Sequence, residues 1–357
     1  MILTPSLAGH DGVSAVARAV VRACASDHVE LWCLAGGENE ERVSRVRYRF
    51  ANGDRIRFAT WAIAGSAARQ ADTIVLAIHL HLAPVALPLM LRGAALAVFL
   101  HGIEAWNPLR GLRRLALRKA TWFLAPSHYT FRRFYSSNPA MAGKEARVCA
   151  HGIAAEAPAT AASAGREPFA LIVGRMAADE RYKGHDQLLD LWPRLIERVP
   201  GAELVIAGDG NDRRRLEMKA ETLGIADRVC FLGRVSEETL AGLYRDCAFF
   251  VMPSPNEGFG LVFLEAMRAG KASIAAHGAA DEILEHGVTG LLVDGAEPEQ
   301  LLGALHDLFE DPVACERMGR TAASRFLEVF TEAHFQERLR VALGMNAAVL
   351  CAESPVS

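Results

Sequence analysis

The residues best suited to chemistry lie in one stretch, Pro253 to Gly270, where glycines and two glutamates flank the start of a predicted helix. The backbone N–H groups of residues 258–260 would face an anion there, helped by the helix dipole. Glu257 in the loop and Glu265 two turns into the helix could accept hydrogen bonds from hydroxyl groups. A ligand with hydroxyls at both ends and phosphate between them, such as a sugar nucleotide, fits this arrangement. On spacing alone, an ordinary loop glutamate and a solvated helix face explain the two carboxylates equally well.

A buried strand and a helix must hold this stretch in place. The run from Ala248 to Met252 shows no polar alternation, which is typical of a parallel strand covered on both faces. A helix is predicted from Leu261 to Ala269, ending at Gly270. Ligands of open α/β sheets bind where a strand ends and the next helix begins, so the stretch lies at the expected binding edge.

Short apolar strands alternate with helical segments along the rest of the chain, which predicts an α/β fold with parallel sheets. The predicted strands are 1–4, 29–34, 46–50, 73–78, 94–100, 122–125, 147–149, 169–173, 203–207, 229–232, 248–252 and 272–275. The predicted helices are 14–25, with Ser14 as a candidate N-cap, then 57–69, 86–91, 128–136, 213–223, 237–245, 261–269, 297–309, 312–326 and 331–343.

The stretch from Glu257 to Glu265 resembles the Glu-x7-Glu motif of retaining glycosyltransferases of family 4, the glycosyl transferases group 1, which have the GT-B fold. The resemblance is dense from about residue 169 to 295 and thin before it. It implies two Rossmann-like domains facing a cleft, of which the second binds a nucleotide-sugar donor and the first shapes the acceptor site. It also implies that Glu265 holds the ribose and Glu257 a sugar hydroxyl. The donor-binding loop residues would be Gly258, Phe259, Gly260 and Leu261.

Two cations follow the strand 169–173. The pairs Gly174-Arg175 and Lys183-Gly184 match those that hold the diphosphate in the family. Arginine offers a planar fork and lysine a point charge, and both neutralise a phosphate leaving group. By the same resemblance, the loop that contacts the nucleobase comprises Gly233, Arg234 and Val235.

The first half of the chain carries fewer matches. His101 follows the strand 94–100, a position that points into the crevice, and the family has a histidine there beside the donor sugar and the acceptor. The resemblance therefore implies a catalytic role for His101. Gly12, beside Asp11, stands where the family usually has a Gly-Gly pair near the donor, although a plain strand-to-helix turn also explains it. His151 replaces the asparagine of the family's Asn-Gly-Ile-Asp segment.

A basic surface is predicted around residues 106–119. Leu112, Leu115 and Ala116 share one helical face, and the cations gather elsewhere: Arg110, Arg113, Arg114, Arg118 and Lys119. They form either a solvated face or a surface for anionic phospholipid, worth about 1 kcal/mol per basic residue. Residues 1–150 hold 19 Lys/Arg against 10 Asp/Glu, and the remainder holds 20 against 32, which suggests domains with different partners. Nucleic acid is not expected, because few aromatics lie nearby.

Several classes of protein are disfavoured. The chain has no apolar run long enough to span a membrane, and its first twenty residues resemble no signal peptide. Its seven cysteines form no Cys-x-x-Cys pair, which favours reduced cytoplasmic thiols over a zinc site. It also has no Asp-x-Asp pair. No metal or other cofactor is therefore expected, and the two cations and the helix start must stabilise the departing diphosphate.

The predicted domains are 1–153 on the acceptor side and 167–330 for the nucleotide sugar, joined by a linker at 154–166. A helix at 331–345 crosses back to the first domain, and 346–357 form a tail. The predicted function is metal-independent, retaining transfer of a sugar from a UDP- or GDP-sugar to a saccharide or lipid-linked acceptor. It would serve cell-surface polysaccharide, lipopolysaccharide or glycolipid assembly, in the cytoplasm or on the cytoplasmic face of the membrane. Two alternatives remain: a sugar-nucleotide epimerase of the same fold, and a non-catalytic partner subunit.

Overall fold

The chain forms two compact units. The first unit joins Met1–His151 to the segment that begins at Glu332, and the second unit is Gly152–Thr331. The predicted tail and residues 159–166 of the predicted linker lie outside the described residues. The computed structural model describes residues 1–9, 11–26, 28–36, 42–65, 72–158 and 168–345.

Parallel strands form the sheet of the first unit. They are β1 (Ile2–Ser6), β2 (Val29–Ala35), β3 (Val46–Phe50), β4 (Ile74–Ala77), β5 (Ala95–Phe99), β6 (Trp122–Ala125) and β7 (Glu145–Val148). Their order is β3-β2-β1-β4-β5-β6-β7, and Ile2 of β1 pairs with Leu31 on one side and Leu76 on the other. The order reverses between β1 and β4, so the loops after these strands diverge at the kind of switch point where such sheets bind ligands.

The central strands of this sheet are buried on both faces. Leu96 and Val98 of β5 belong to one core, and Ala97 and Phe99 belong to a second core on the opposite face. This explains why the central strands read as apolar runs without alternation, whereas the edge strand β3 alternates between half-buried and exposed residues. The covering helices are α1 (Gly12–Ala23), α2 (Arg55–Gly65), α3 (Leu87–Met90), α4 (Gly111–Lys119) and α5 (His128–Ser137).

The predicted N-cap of the first helix is wrong. Asp11, not Ser14, caps α1, because the Asp11 carboxylate accepts hydrogen bonds from the N–H groups of Val13 and Ser14, both at 3.0 Å. Aspartate and serine are both good N-cap residues, so the cap is known only once the first residue of the helix is known.

The second unit repeats the doubly wound pattern. Its strands are β8 (Phe169–Val173), β9 (Glu203–Ala207), β10 (Val229–Gly233), β11 (Phe249–Met252), β12 (Ser273–Ala276) and β13 (Gly290–Val293). They are parallel in the order β10-β9-β8-β11-β12-β13, with the reversal between β8 and β11. The helices are α6 (His185–Arg198), α7 (Arg213–Thr222), α8 (Glu237–Asp246), α9 (Leu261–Arg268), α10 (Pro298–Glu310) and α11 (Pro312–Val329). Neither α6 nor β13 is among the predicted elements.

The last helix, α12 (Glu332–Ala342), packs on α1 in the first unit. Phe335 and Leu339 are buried in the core that α1 also lines. At the surface, the Arg22 guanidinium donates to the Glu332 carboxylate, with Nη2 to Oε2 at 2.8 Å. In the described parts of the chain, no helix combines the length and the apolar composition needed to cross a bilayer.

Candidate functional site

The loops after β8 and β11 meet at the switch point of the second sheet. Gly184 follows the 3-10 turn Arg181–Lys183 and has a φ of +94°, in the left-handed region. A Cβ atom at Gly184 would lie 2.5 Å from Cγ of Pro253, so only glycine permits this contact. The contact places the Lys183 turn against the loop that carries Glu257.

Lys183 and Glu257 form an ion pair at this contact. Nζ of Lys183 donates to Oε1 of Glu257 at 2.9 Å, and the Ser254 hydroxyl donates to the same oxygen at 3.1 Å. The two side chains are only 15% and 17% exposed, so solvent screens this pair less than a surface pair. The structure therefore brings these two predicted catalytic residues together.

Arg175, the other predicted cation, has a different environment. Its guanidinium donates to Oε1 of Glu180, and its side chain is 72% exposed while that of Glu180 is 14% exposed. Gly174 lies against the Lys183 chain, since a Cβ there would be 3.2 Å from Cδ of Lys183. Arg175 and Lys183 thus belong to one loop region, and each has a carboxylate partner.

Tyr182 adds a hydroxyl beside these pairs. Its ring centroid lies 5.6 Å from Nζ of Lys183, a cation–π distance. Burial raises the pKa of Tyr182, and the negative charges of Glu180 and Glu257 raise it further. The hydroxyl therefore stays protonated at neutral pH and can donate a hydrogen bond.

The glycine loop leads directly into α9. Gly260 is the N-cap with a φ of +97°, and a Cβ there would lie 2.6 Å from the Phe263 ring. The Phe259 side chain is buried, with its ring centroid 6.3 Å from that of Phe330. The residues predicted to bind the donor here, Gly258, Phe259, Gly260 and Leu261, therefore stand at the start of an eight-residue helix.

Glu265 occupies the second turn of α9 and is half-buried. Burial raises the pKa of its carboxyl group, while the nearby Tyr244 hydroxyl of α8 and the Arg268 guanidinium act in the opposite direction. Glu265 is thus not the solvated helix position that spacing alone allowed.

The predicted nucleobase loop follows β10. Gly233 has a φ of +69°, and its carbonyl accepts a hydrogen bond from the Gly208 N–H at 2.8 Å. Arg234 is exposed and Val235 is half-buried. Strand β10 lies two strands from β8, or about 10 Å, so this loop shares the binding edge but stands apart from the ion pairs.

In the first unit, His101 follows β5, at the edge where it is predicted. Its backbone N–H donates to Oε1 of Glu104 at 2.6 Å, and its Nε2 contacts the carbonyl oxygen of Ile78. A carbonyl oxygen can only accept a hydrogen bond, so Nε2 of His101 carries the proton. Nδ1 of the ring is then unprotonated and keeps its lone pair. Burial lowers the pKa of His101, so the ring is neutral at pH 7.

Three more rings stack around His101. The centroid distances are 6.1 Å to His79, 6.0 Å to His151 and 5.0 Å to Phe99. Burial lowers the pKa of His79 to about 4 and that of His151 well below its usual value. These histidines are therefore uncharged at neutral pH.

Gly12 is the exposed first residue of α1, directly after the Asp11 cap. Burial alone would raise the pKa of Asp11, but hydrogen bonds from Ser14 and Val13 outweigh it and leave the pKa lowered. The Asp11 carboxylate is thus engaged in the helix start, and a donor contact at Gly12 stays a prediction.

The predicted basic surface is α4 with the residue before it. Its cations are all exposed: Arg110, Arg113, Arg114, Arg118 and Lys119. The predicted apolar face is wrong in part, because Leu112 and Leu115 are 65% and 44% exposed. Ala116 of the predicted face is buried, and so is Leu117, where α4 packs on the 3-10 segment Leu80–Ala86.

A family model relates the second unit to known proteins. Residues 155–325 match the model described as Glycosyl transferases group 1. Residues 155–325 are a domain of that family. The predicted resemblance to this family is confirmed over residues 155–325, and this segment, called the group 1 domain below, contains Arg175, Lys183, Glu257 and Glu265.

Curated relatives include glycosyltransferases much longer than the matched segments. An uncharacterized glycosyltransferase of Methanocaldococcus jannaschii is 37% identical over 146 residues, 41% of this chain and 36% of that protein. The GDP-mannose-dependent alpha-(1-6)-phosphatidylinositol monomannoside mannosyltransferase of Mycobacterium tuberculosis is 35% identical over 163 residues, 43% of this chain and 42% of that protein. The chain thus spans about two fifths of the length of these relatives.

Solved structures match over nearly the whole chain. Anabaena HepE in complex with UDP-glucose gives a TM-score of 0.79 at 19% identity, over 97% of this chain and 99% of that one. Sucrose-phosphate synthase from Thermosynechococcus elongatus gives 0.75 at 18% identity, over 99% of each chain. The predicted GT-B fold class, with two Rossmann-like domains, is confirmed.

The charged groups of the group 1 domain suit two kinds of ligand atom. Arg175 and Lys183 can bind phosphate, and the carboxylates of Glu180 and Glu257 can accept from hydroxyls. Among the described residues, no group of three or more His, Cys, Asp or Glu side chains could hold a metal ion.

Three neighbours of the predicted site residues were missed in the sequence. Glu180 and Tyr182 lie between Arg175 and Lys183, in a loop whose spacing does not reveal which side chains meet. His79 follows β4, so the edge argument that selects His101 could have selected it too.

Proposed function

We propose that this protein is a retaining glycosyltransferase that moves a sugar from a nucleoside-diphosphate sugar to a hydroxyl acceptor. The proposal depends on the convergence of Arg175, Lys183 and Glu257 at the switch point of a group 1 domain. The two cations can neutralise charge that develops on a departing diphosphate. A carboxylate beside them can accept hydrogen bonds from the sugar that is transferred.

The proposed reaction uses neither a metal nor another cofactor. Arg175 and Lys183 would supply the positive charge that a divalent cation supplies in other phosphate chemistry. With the leaving diphosphate held by these cations, the diphosphate itself takes the acceptor proton on the face it leaves, and configuration is retained. His101 acts at the reacting centre, as the resemblance implies, and its neutral ring offers Nδ1 as an acceptor.

The named relatives support the donor class. One relative is named GDP-mannose-dependent, and HepE was solved with UDP and with UDP-glucose. We therefore propose a UDP- or GDP-sugar donor and a saccharide or lipid-linked acceptor, in cell-surface polysaccharide, lipopolysaccharide or glycolipid assembly. The place of action would be the cytoplasm or the cytoplasmic face of the membrane.

The anomeric configuration of the product tests the reaction. The protein is incubated with α-linked UDP- and GDP-sugars and candidate acceptors, and the product is analysed by proton NMR. We expect an α linkage and an initial rate that EDTA leaves unchanged. A β linkage would overturn retention, and loss of activity restored by magnesium would overturn metal independence. Conversion of the donor without any acceptor would identify an epimerase instead.

Vesicle binding tests the membrane proposal. Arg110, the four exposed cations of α4 and its two exposed leucines suit an anionic surface. Binding to anionic vesicles should weaken with added salt, because charges are screened beyond about 8–10 Å at physiological strength. The double variant Arg113→Glu/Arg114→Glu should bind less, whereas Arg317→Glu/Arg320→Glu on α11 should bind as the wild type does. Absence of cosedimentation at low salt would leave a soluble acceptor as the better proposal.

A further inference from the structure

Each phosphate-binding cation of the proposed site already has a carboxylate partner in the chain. Glu257 holds Lys183, and Glu180 holds Arg175. The two positive and two negative charges therefore sum to zero. A diphosphate that binds both cations must therefore displace two carboxylates, and the protein's own groups compete with the ligand.

Of the two carboxylates, Glu180 has fewer hydrogen-bond donors than Glu257. Its Oε1 meets Arg175, but its Oε2 is buried and has no hydrogen-bond partner in the described part of the chain. A buried carboxylate oxygen without a donor is costly, so Glu180 gains from any hydroxyl that reaches it. A sugar provides such hydroxyls, and a bare diphosphate does not.

Glu180 also lies in the same cluster as Glu257. The Lys183 backbone N–H donates to the Glu180 carbonyl oxygen at 3.0 Å, while the Lys183 side chain binds Glu257. The negative charge of both carboxylates also raises the pKa of Tyr182. A ligand that displaces Glu257 and Glu180 from the cations therefore leaves two unpaired carboxylates on residues that both contact Lys183. Two like charges in a partly buried site repel each other unless donors reach them.

We propose that Glu180 competes with the diphosphate for Arg175, so that the site prefers an intact nucleotide sugar to the nucleoside diphosphate left after transfer. This inference rests on the proposed function. While the sugar is present, its hydroxyls satisfy the displaced carboxylates. Once the sugar has left, the carboxylates return to the cations and promote release of the diphosphate. Glu180 is thus a specificity-determining residue that touches the donor site through Arg175.

The variant Glu180→Gln tests this competition, because it keeps the shape of the side chain and removes its charge. Dissociation constants are measured by calorimetry for UDP, GDP, UDP-glucose and GDP-mannose with the full chain. We expect the nucleoside diphosphate that binds the wild type to bind Glu180→Gln about three- to tenfold more tightly, equivalent to about 0.7–1.4 kcal/mol. Affinity for the matching nucleotide sugar should change less than twofold, so the preference for the sugar shrinks.

Controls separate charge from structure. Glu299→Gln breaks the exposed Arg194–Glu299 pair on the same unit and should leave every constant unchanged. Glu180→Asp keeps the charge and should keep the wild-type preference. In an Arg175→Ala background, Glu180→Gln should have no effect.

The outcomes are distinguishable. If the wild type binds a nucleoside diphosphate and Glu180→Gln binds it equally or more weakly, Glu180 only positions Arg175 and the inference is overturned while the proposed function stands. If the wild type binds neither nucleoside diphosphates nor nucleotide sugars, the proposed function and the inference both fail.

Discussion

Arg175 and Lys183 carry the same charge in different surroundings. The Lys183 side chain is 15% exposed and the Arg175 side chain 72% exposed. A charge that water reaches less acts more strongly on a bound phosphate. The two residues are therefore not equivalent, even though both match the family's diphosphate-binding pairs.

Replacing either cation should slow sugar transfer. Lys183→Ala and Arg175→Ala are each expected to cut turnover by roughly 10² or more, the scale of losing one transition-state charge contact, with the larger loss at Lys183. Initial rates at saturating donor measure this. Arg194→Ala, in an exposed ion pair, is the matched control. Activity within twofold of the wild type in both variants would contradict the assignment of the phosphate site.

The buried histidines make stability depend on pH. Burial lowers the pKa of His79 and of His185 to about 4, and it also lowers the pKa of His101 and His151. Between the unfolded value of about 6.5 and these folded values, the unfolded chain binds more protons. Stability is therefore complete above pH 6.5 and falls as the pH drops toward 4, by about 1.4 kcal/mol per pH unit for each of His79 and His185.

Urea unfolding at pH 7, 6 and 5 tests this dependence. His79→Gln should unfold with a shallower pH slope, because one titrating group is gone. Asp186 acts outside this window, since its pKa is lowered to about 2, whereas Glu265, whose pKa burial raises, opposes the histidine effect at the acidic end. Equal stability at pH 5 and pH 7 would show that these histidines are not buried in neutral form.

At the scale of elements, the turn before α6 positions Lys183. Gly184→Ala should place a left-handed alanine, which costs about 1–2 kcal/mol, and force its Cβ into Pro253. Turnover should drop at least roughly tenfold, because small displacements of a positioned group are costly. Gly270→Ala is the matched control, since Gly270 has a φ of +70° but no atom within 4 Å of the added Cβ. It should lose stability alone, and equal turnover in the two variants would contradict the packing argument.

The sequence predicts the strands better than the helices. Four strands have the bounds that were predicted from the sequence: Val46–Phe50, Trp122–Ala125, Phe169–Val173 and Glu203–Ala207. Helix α6 was not predicted. It contains Pro193, and proline normally interrupts a helix. Strand β13 is four residues long and begins at Gly290, which a sequence pattern does not distinguish from a turn.

The sequence predicts where along the chain the site residues stand, but it does not predict which side chains meet. Arg175 and Lys183 follow one strand and Glu257 follows another, so parallel-sheet geometry alone brings them to one edge. Their partners were not predictable, because the Arg175–Glu180 pair depends on the path of a loop with no periodicity. The Tyr244 hydroxyl that acts on the pKa of Glu265 likewise belongs to another helix, twenty-one positions earlier in the chain.

At the scale of the molecule, the chain leaves the first unit after His151 and returns to it at Glu332. Leu339→Ala should destabilise the first unit by about 2–5 kcal/mol, because Leu339 is fully buried between α12 and the core. Val341→Ala, on the same helix but 68% exposed, should change stability by less than about 0.5 kcal/mol. Hydrogen exchange read by mass spectrometry resolves the two units. Equal loss of protection in both units would contradict this assignment of α12.

The return of α12 also sets the order in which the protein can mature on the ribosome. Translation of Gly152–Thr331 takes on the order of ten to forty seconds, and the second unit can fold as it emerges. Throughout that interval, the apolar side of α1 that Phe335 and Leu339 later cover stays in contact with solvent. The unit that is synthesised first is thus completed later, and the nascent chain offers chaperones and proteases a hydrophobic target until α12 is synthesised.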